Sequence, residues 1–234
     1  SLFLRSPSRT QRPAPDEMTA WARDRIAKSV SGPSGVKGFG NHIDATAPPQ
    51  KTVRRGGAFM PWTMYNREGQ RKYLTKSETQ LFLRAAETHN ELVHSFCWVI
   101  AVTGCRISEA LALTEKNIDF EAQHIVIQSL KKRGKLVFRA IPVPSNLLNR
   151  LKKWLAIGTL SGERLWPWSR MTGYRRICEV MKTAGICGSY ATPKGLRHGF
   201  GVAATQSSVP LTLVQRWLGH ADIKTTAIYT SAMG

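Results

Sequence analysis

One run of apolar residues limits what this chain can fold into more than any other feature. The stretch from Leu92 to Val102 (LVHSFCWVIAV) would be apolar on nearly every side of a helix. Such a helix is stable only when other elements surround it. Gly104 follows closely and is suited to end it, because glycine readily adopts the left-handed backbone of a helix terminus. The run therefore predicts a central, buried helix inside a mainly helical domain.

Several further helices are predicted around this one. Thr75 and Glu78 have the spacing of a capping box, in which each side chain accepts a hydrogen bond from the other's backbone. Leu81, Phe82, Ala85 and Ala86 then fall on one helical face. Other predicted helices run from Ile107 to Leu113, from Ser145 with Leu147, Leu148, Leu151, Trp154 and Leu155 inward, from about Thr172 to Ala184, from Pro193, and from Pro210 to Gly219.

One segment carries the sheet signal. The stretch NIDFEAQHIVIQSLKKRGKLVFRAIPVP has β-branched alternation on both sides of a KKRGK turn, which predicts two or three antiparallel strands. Residues 71–234 are therefore predicted to form a domain that is mainly α with a small antiparallel β-sheet, in the α+β class.

Residues 1–70 have a different composition. The stretch 31–51 is rich in Gly, Pro, Ser and Ala and holds few side chains able to form a core. Ahead of it, Asp16 is placed to cap one helix in which Met18, Trp21, Ala22, Ile26 and Val30 recur at near-helical spacing. We expect a partly disordered, basic N-terminal arm.

Charge and composition narrow the classes of partner. Thirty-four Lys and Arg residues against 15 Asp and Glu give a net charge of +19, which favours a polyanionic partner and above all nucleic acid. No apolar run approaches the roughly 18 to 20 residues that span a bilayer, so no membrane role is expected. The four cysteines form no CxxC pair, which favours a reduced, cytoplasmic setting. The sequence shows no clustered metal ligands, and neither a metal nor a small-molecule cofactor is expected.

Two separated arginines and a late tyrosine suggest phosphodiester chemistry. Tyr229 lies nine residues after His220, and Arg106 and Arg197 occupy distinctive local settings. A phenol attacks a phosphodiester effectively only when fixed cations stabilise the charge that builds on the non-bridging oxygens. Taken singly, each residue has a simpler interpretation: Arg106 as a partner of Glu109, Arg197 as a solvated arginine, His220 as a helix-capping histidine, and Tyr229 as a core aromatic.

Four sequence boxes together resemble one known family. TGCRISEAL, the KKRGK hairpin, PKGLRHGFG and LGHADIKTTAIYT resemble, in order and spacing, the catalytic domain of tyrosine recombinases, or phage-type integrases, over residues 73–234. The resemblance implies that Arg106 and Arg197 grip the scissile phosphate and that His220 hydrogen-bonds it. Tyr229 would attack phosphorus to give a 3′-phosphotyrosyl enzyme and a free 5′-hydroxyl, without metal or ATP.

Other positions match the family pattern less closely. Lys194 stands where the family usually has the histidine of H-x-x-R. As a catalytic residue it could still donate to a phosphate oxygen, although a lysine is a poorer proton acceptor at neutral pH; the alternative is a lysine at a helix start that binds the DNA backbone non-specifically. The resemblance implies that a hairpin lysine protonates the leaving 5′-oxygen, and Lys132 is favoured narrowly over Lys131. His198 is expected to pack or brace its helix. Five residues follow Tyr229 where the family commonly adds a helix, and the family's usual N-terminal DNA-clamping domain is absent or reduced to residues 1–70. Weak site selectivity and impaired tetramer assembly are therefore expected of this chain alone.

These observations predict a site-specific DNA recombinase or integrase. Its expected partners are double-stranded DNA and further copies of itself, a tetramer in the family. Two alternatives stay open: a degenerate or non-catalytic DNA-binding protein, and a type IB topoisomerase-like enzyme that relaxes supercoils with a similar tyrosine.

Overall fold

The computed structural model describes residues 63–130, 136–157 and 164–232. The helix predicted from Asp16 lies outside these residues, and the division of the chain at residue 70 stays a prediction. Met64 is fully buried, and its carbonyl accepts a hydrogen bond from the Lys72 backbone, 2.8 Å. The short segment before the first described helix therefore packs into the core that follows it.

Helices α1 (Lys76–Ala86) and α2 (Glu91–Thr103) form as the sequence predicts. Both halves of the capping box between Thr75 and Glu78 are present at the start of α1. The Asn90 side chain caps α2, and Gly104 ends it with a left-handed φ of 59°. Because α2 packs against α1 and against helices on its other sides, it is the buried centre of the domain.

One part of the predicted α1 face is wrong. Phe82, Ala85 and Ala86 are buried, but the side chain of Leu81 is 46% exposed. Thr79 is buried instead, so the buried stripe runs through Thr79, Phe82, Ala85 and Ala86.

A short helix, α3 (Ile107–Ala110), leads to the sheet. Strands β1 (Ile118–Asp119), β2 (His124–Gln128) and β3 (Phe138–Pro142) are antiparallel in the order β1-β2-β3. The register pairs Ile125 with Ile141 and Ile127 with Arg139, so that these residues share the buried face. The prediction of a small antiparallel sheet is confirmed.

Five helices complete the described fold; the first four have bounds close to those predicted, and the last, short one was not predicted. They are α4 (Ser145–Ala156), α5 (Arg170–Thr183), α6 (Pro193–Gln206), α7 (Leu211–Leu218) and α8 (Lys224–Ala227). Helix α6 packs on α2, and α7 packs on both α6 and β3. The ends of α2, α6 and α7 therefore meet next to the sheet, and the mainly helical α+β class is confirmed.

Candidate active site

Arg197 lies in the first half of α6 with its guanidinium directed into the protein. Its Nη1 donates to the carbonyl of Gly104, 2.6 Å, and its Nη2 donates to the carbonyl of Leu218, 2.7 Å. These two carbonyls lie at the C-terminal ends of α2 and α7, where the helix dipole favours a cation. Burial, followed by the charge of Arg106, lowers the pKa of Arg197 to about 10, so the group stays charged at neutral pH.

Arg106 precedes α3 and is held by Glu109. Its Nη1 donates to Oε1 of Glu109, 2.8 Å, and its backbone N–H donates to Oε2, 2.9 Å. The pairing considered from the sequence is therefore present. It does not exclude a second role, because the Arg106 side chain stays 29% exposed while Glu109 is buried. The pair fixes the direction of the guanidinium and leaves part of it accessible.

Tyr229 is fully buried in this structure. Its hydroxyl and Nδ1 of His198 are hydrogen-bonded at 3.1 Å, and its ring lies nearly parallel to that of His220, with planes 18° apart and centroids 6.4 Å apart. A methyl group at Gly201 would lie only 2.5 Å from the ring. We call the space bounded by His198, Gly201 and His220 the Tyr229 recess.

The recess holds the phenol in its protonated form. Burial raises the pKa of Tyr229 to about 12, although the positive charges of Arg197 and Arg106 act in the opposite direction. Burial likewise lowers the pKa of His198 to about 3, with further contributions from Lys194 and Arg197. At neutral pH the pair therefore consists of a neutral phenol and a neutral imidazole.

His220 follows the left-handed residue Gly219 that ends α7. Its Nδ1 is hydrogen-bonded to the Thr226 hydroxyl at 2.9 Å. Burial, then the charges of Arg197 and Arg106, lower its pKa to about 4, so it is neutral at pH 7. A half-buried neutral imidazole fixed through one nitrogen can offer the other to a phosphate oxygen.

The two arginines, His220 and Tyr229 share one neighbourhood. Arg197 bonds the carbonyl of Gly104, two residues before Arg106, and the carbonyl of Leu218, two residues before His220, and the His220 ring lies against that of Tyr229. Next to them, a cleft of about 410 Å³ lies between β3 and α7, with Arg139, Arg216 and His220 in its wall. Two guanidiniums, an imidazole and a phenol thus meet beside a basic cleft, the composition that suits a bound phosphodiester.

The remaining predicted site residues divide into two cases. Lys194 is exposed in the first turn of α6, and partial burial together with nearby Lys72 lowers its pKa. Lys194 lies four residues before His198 on α6, one helical turn away, so the two residues share a side of the helix. Lys132, like Lys131, lies outside the described residues; Ser129 and Val137, on either side of the undescribed residues 131–135, line the cleft.

Two residues of this site were not identified as important from the sequence. Arg139 is buried on β3 and donates to Glu109, Ser129 and the backbone of Trp217. The signal was present, because Arg139 occupies an inward position of the strand alternation together with Ile141. His198 was expected to pack or brace, yet it contacts the phenol oxygen itself. That contact spans 31 residues of sequence and has no local signature.

Within residues 63–130, 136–157 and 164–232, no group of three or more metal-ligating side chains is positioned to hold a metal ion. Over the same residues, no helix is both long enough and apolar enough to span a bilayer.

Comparison with known proteins identifies related sequences. Residues 72–233 match the phage integrase family. The type 1 fimbriae regulatory protein FimB of Escherichia coli K12 is 31% identical over 174 residues, which are 69% of this chain and 85% of FimB. The tyrosine recombinase XerA of Pyrococcus furiosus is 34% identical over 137 residues, 55% of this chain and 46% of that protein. The chain thus spans most of FimB but about half the length of XerA.

Solved structures show the same fold. A crystal structure of XerA recombinase is similar with a TM-score of 0.59 and 26% identity, covering 68% of this chain and 59% of that one. The XerH site-specific recombinase bound to palindromic difH substrate, a post-cleavage complex, is similar with a TM-score of 0.60 and 25% identity, covering 69% and 50%.

Proposed function

Because this chain belongs to the phage integrase family, we propose that it is a site-specific DNA recombinase that cleaves and rejoins strands through a 3′-phosphotyrosyl intermediate. The observation that carries the proposal is the grouping of Arg106, Arg197 and His220 around buried Tyr229: Arg197 bonds the carbonyls two residues before Arg106 and two residues before His220, and His220 lies against the Tyr229 ring beside a basic cleft. The palindromic difH substrate bound to the XerH relative, together with the net charge of +19 on this chain, supports double-stranded DNA as the substrate.

The proposed chemistry is a transesterification. The Tyr229 oxygen bonds to phosphorus, the bond from phosphorus to the 5′-oxygen breaks, and the phenolic proton is lost while the 5′-oxygen gains one. Arg106 and Arg197 stabilise the negative charge on the non-bridging oxygens, and His220 donates a hydrogen bond to one of them. The new ester retains the energy of the broken bond, so another 5′-hydroxyl can reverse the step.

The free protein requires a rearrangement before this attack. Tyr229 has no exposed surface, so a DNA phosphate cannot contact its oxygen while the recess is closed. The segment that carries it, α8 and the short 3₁₀ turn Thr230–Ala232, is the last part of the described chain and packs against α7 and the end of α6. We propose that bound DNA draws this segment outward, and that the phosphate replaces His198 as the partner of the phenol.

A covalent-adduct assay tests the proposal without knowledge of the target site. The substrates are duplexes with a randomised core and a nick just downstream of each candidate phosphate. After cleavage, the short fragment that carries the new 5′-hydroxyl diffuses away, so the adduct cannot reverse. Denaturation in detergent and recovery of protein-linked DNA would then give both the activity and the preferred sequence. We expect adducts with the native chain and none with Tyr229→Phe. Salt-sensitive binding without any adduct would instead identify a non-catalytic DNA-binding protein, the alternative that the burial of Tyr229 favours.

Arginine variants test the phosphate clamp. Arg106→Ala or Arg197→Ala should reduce adduct formation at least about 100-fold, since fixed donors to a developing oxyanion are worth that much or more. DNA binding should change little, because many other cations of this +19 chain contact the backbone. A folded variant of either kind that cleaves at a near-native rate would contradict the clamp. Relaxation of supercoils without pairing of two duplexes would favour the topoisomerase-like alternative.

The general acid is tested by changing the leaving group. Lys132→Ala should slow cleavage at a normal 5′-oxygen but spare a 5′-phosphorothiolate, whose sulfur leaves without protonation. Lys131→Ala is the matched neighbour and should affect both substrates equally or neither. If the two variants exchange this behaviour, Lys131 is the acid.

A further inference from the structure

Arg139 is a charged residue on the core-facing side of a strand. It lies opposite Ile127 in the sheet register and alternates with Ile141, and it is only 5% exposed. A buried arginine is costly unless its donors are satisfied. Its contacts therefore show which parts of the fold this charge holds together.

The Arg139 guanidinium joins three separate segments. Its Nε donates to the carbonyl of Trp217, 2.7 Å, at the end of α7. Its Nη1 donates to Oγ of Ser129, 2.8 Å, just after β2, and its Nη2 donates to Oε2 of Glu109, 2.6 Å, in α3. A Cβ atom on Gly219 would lie 3.1 Å from the guanidinium, so the turn before His220 packs directly against it.

Two of these segments carry residues of the proposed site. Glu109 holds Arg106 through both of its oxygens. The turn at Trp217 to Gly219 leads directly into His220 and includes the Leu218 carbonyl that accepts from Arg197.

The carboxylate between Arg106 and Arg139 depends on both of them for its charge. Burial alone would raise the pKa of Glu109, but the hydrogen bond and the charge of Arg139, assisted by Arg106, hold it below its ordinary value. Without Arg139, the carboxylate would stay buried with one guanidinium instead of two. A protonated Glu109 could no longer accept from both the backbone and the side chain of Arg106.

Resting on the proposed recombinase function, we propose that Arg139 is a positioning residue for strand cleavage, acting through Glu109 on Arg106 and through the Trp217–Gly219 turn on His220. Its side chain is only 3% exposed, so it acts on DNA through these partners. Arg139 thereby keeps Arg106 and His220 at a fixed distance and orientation. Stabilisation of a transition state requires such fixed positions, whereas DNA binding alone does not.

The test compares Arg139→Met, which removes the charge, with Arg139→Lys, which keeps the charge but loses the planar fork. Both should lower the rate of adduct formation at saturating DNA by about 100-fold, the scale expected for a displacement of about 1 Å at a catalytic group. The dissociation constant for DNA should change by less than about threefold. Arg150→Met is the matched control, because Arg150 makes a two-bond pair with Glu91 away from the site.

A pH profile separates positioning from a loss of stability. The charged and titratable groups that face Glu109 are Arg106, Arg139, Arg197, Cys105 and His220. In Arg139→Met, the cleavage rate should rise with pH as Glu109 ionises. That dependence should be absent from the native chain and from Arg139→Met combined with Glu109→Gln, which should cleave no more slowly than Arg139→Met alone.

Three results would overturn the proposal: a folded Arg139→Met that cleaves within about threefold of the native rate, a parallel loss of DNA binding and cleavage, or a pH dependence that persists in the double variant. If the native chain forms no adduct at all, the proposed function fails, and carbon-13 NMR titration of the Glu109 carboxyl decides the Arg139 linkage by itself. A rise of the Glu109 pKa in Arg139→Met, with shifted His220 ring resonances, supports the linkage; an unchanged titration refutes it.

Discussion

Replacing Gly201 by alanine should displace the ring of Tyr229 within the Tyr229 recess. The added methyl group would lie 2.5, 2.6 and 2.7 Å from Cζ, Cε2 and Cε1 of Tyr229, whereas ordinary contacts begin near 3.4 Å. The ring must therefore retreat by about 0.9 Å, the difference between 3.4 and 2.5 Å. The displaced atoms are those next to the hydroxyl, so the hydrogen bond to His198 would be lost with them.

The magnitude follows from opposing contributions. Overpacking a core typically costs about 1 to 3 kcal/mol, and the lost hydrogen bond costs about 1 kcal/mol more. Alanine within a helix is favoured over glycine by about 1 kcal/mol, which offsets part of this. The free energy of unfolding should therefore fall by roughly 1 to 3 kcal/mol, and at roughly 2 to 4 °C per kcal/mol the melting temperature should fall by about 2 to 12 °C.

Thermal unfolding followed by circular dichroism measures this effect, and a double-mutant cycle assigns it. In a Tyr229→Ala background the new methyl group has room, so Gly201→Ala should become neutral or slightly stabilising. Gly173→Ala is the matched control, because its new methyl group would lie no closer than 3.2 Å to any neighbour and should perturb less. Equal effects of Gly201→Ala with and without the tyrosine ring would refute the recess as the resting position of Tyr229.

Three further predictions concern protonation and reactivity. Burial lowers the pKa values of His94, His198 and His220 to about 4, 3 and 4. As pH falls from about 6.5 to 4, the unfolded chain takes up protons at these histidines before the folded chain does, so the free energy of unfolding should fall. Urea unfolding at stepped pH measures this, and His94→Gln should remove the contribution of one histidine. Glu78, whose pKa the hydrogen bond from Arg71 lowers to about 2, should add stability above about pH 4.5 that is lost towards pH 2; Arg71→Met should weaken this acid dependence in the same assay, while the bonds from Thr75 keep part of it. A colorimetric disulfide reagent at pH 8 should label the exposed Cys187 quickly but not Cys105, since burial raises the pKa of Cys105 to about 11; Cys187→Ser should remove the fast phase.

Local signals predicted most of the helices. Gly104 ends α2, as predicted, because a left-handed residue acts locally, on the helix end next to it. Thr75 and Glu78 formed their capping box for the same reason. The exposure of Leu81 was not predictable in this way, because the neighbours in space, not the sequence, decide which side of a helix is covered.

The site shows the same division between local and distant contacts. The Arg106–Glu109 pair was predictable, since three residues separate its members on a helix. The Arg197 bond to Gly104 crosses 93 residues, and the Arg139 bond to Glu109 crosses 30. The order of the sequence boxes indicated that such residues meet, through the family resemblance, but not which atoms bond. The burial of Tyr229 depends on Gly201 and His198 in another helix, and only the folded chain reveals it.

Arg197 closes the termini of two helices with one side chain, and this has an evolutionary consequence. Its loss would leave the carbonyls of Gly104 and Leu218 facing a dry interior, at about 1 to 3 kcal/mol for each orphaned acceptor. Losing the Tyr229 hydroxyl disturbs a single bond. In gene copies that have lost strand exchange but still encode DNA-binding proteins, Tyr229 should therefore be substituted early. Arg197 should persist long after selection for strand exchange has ended.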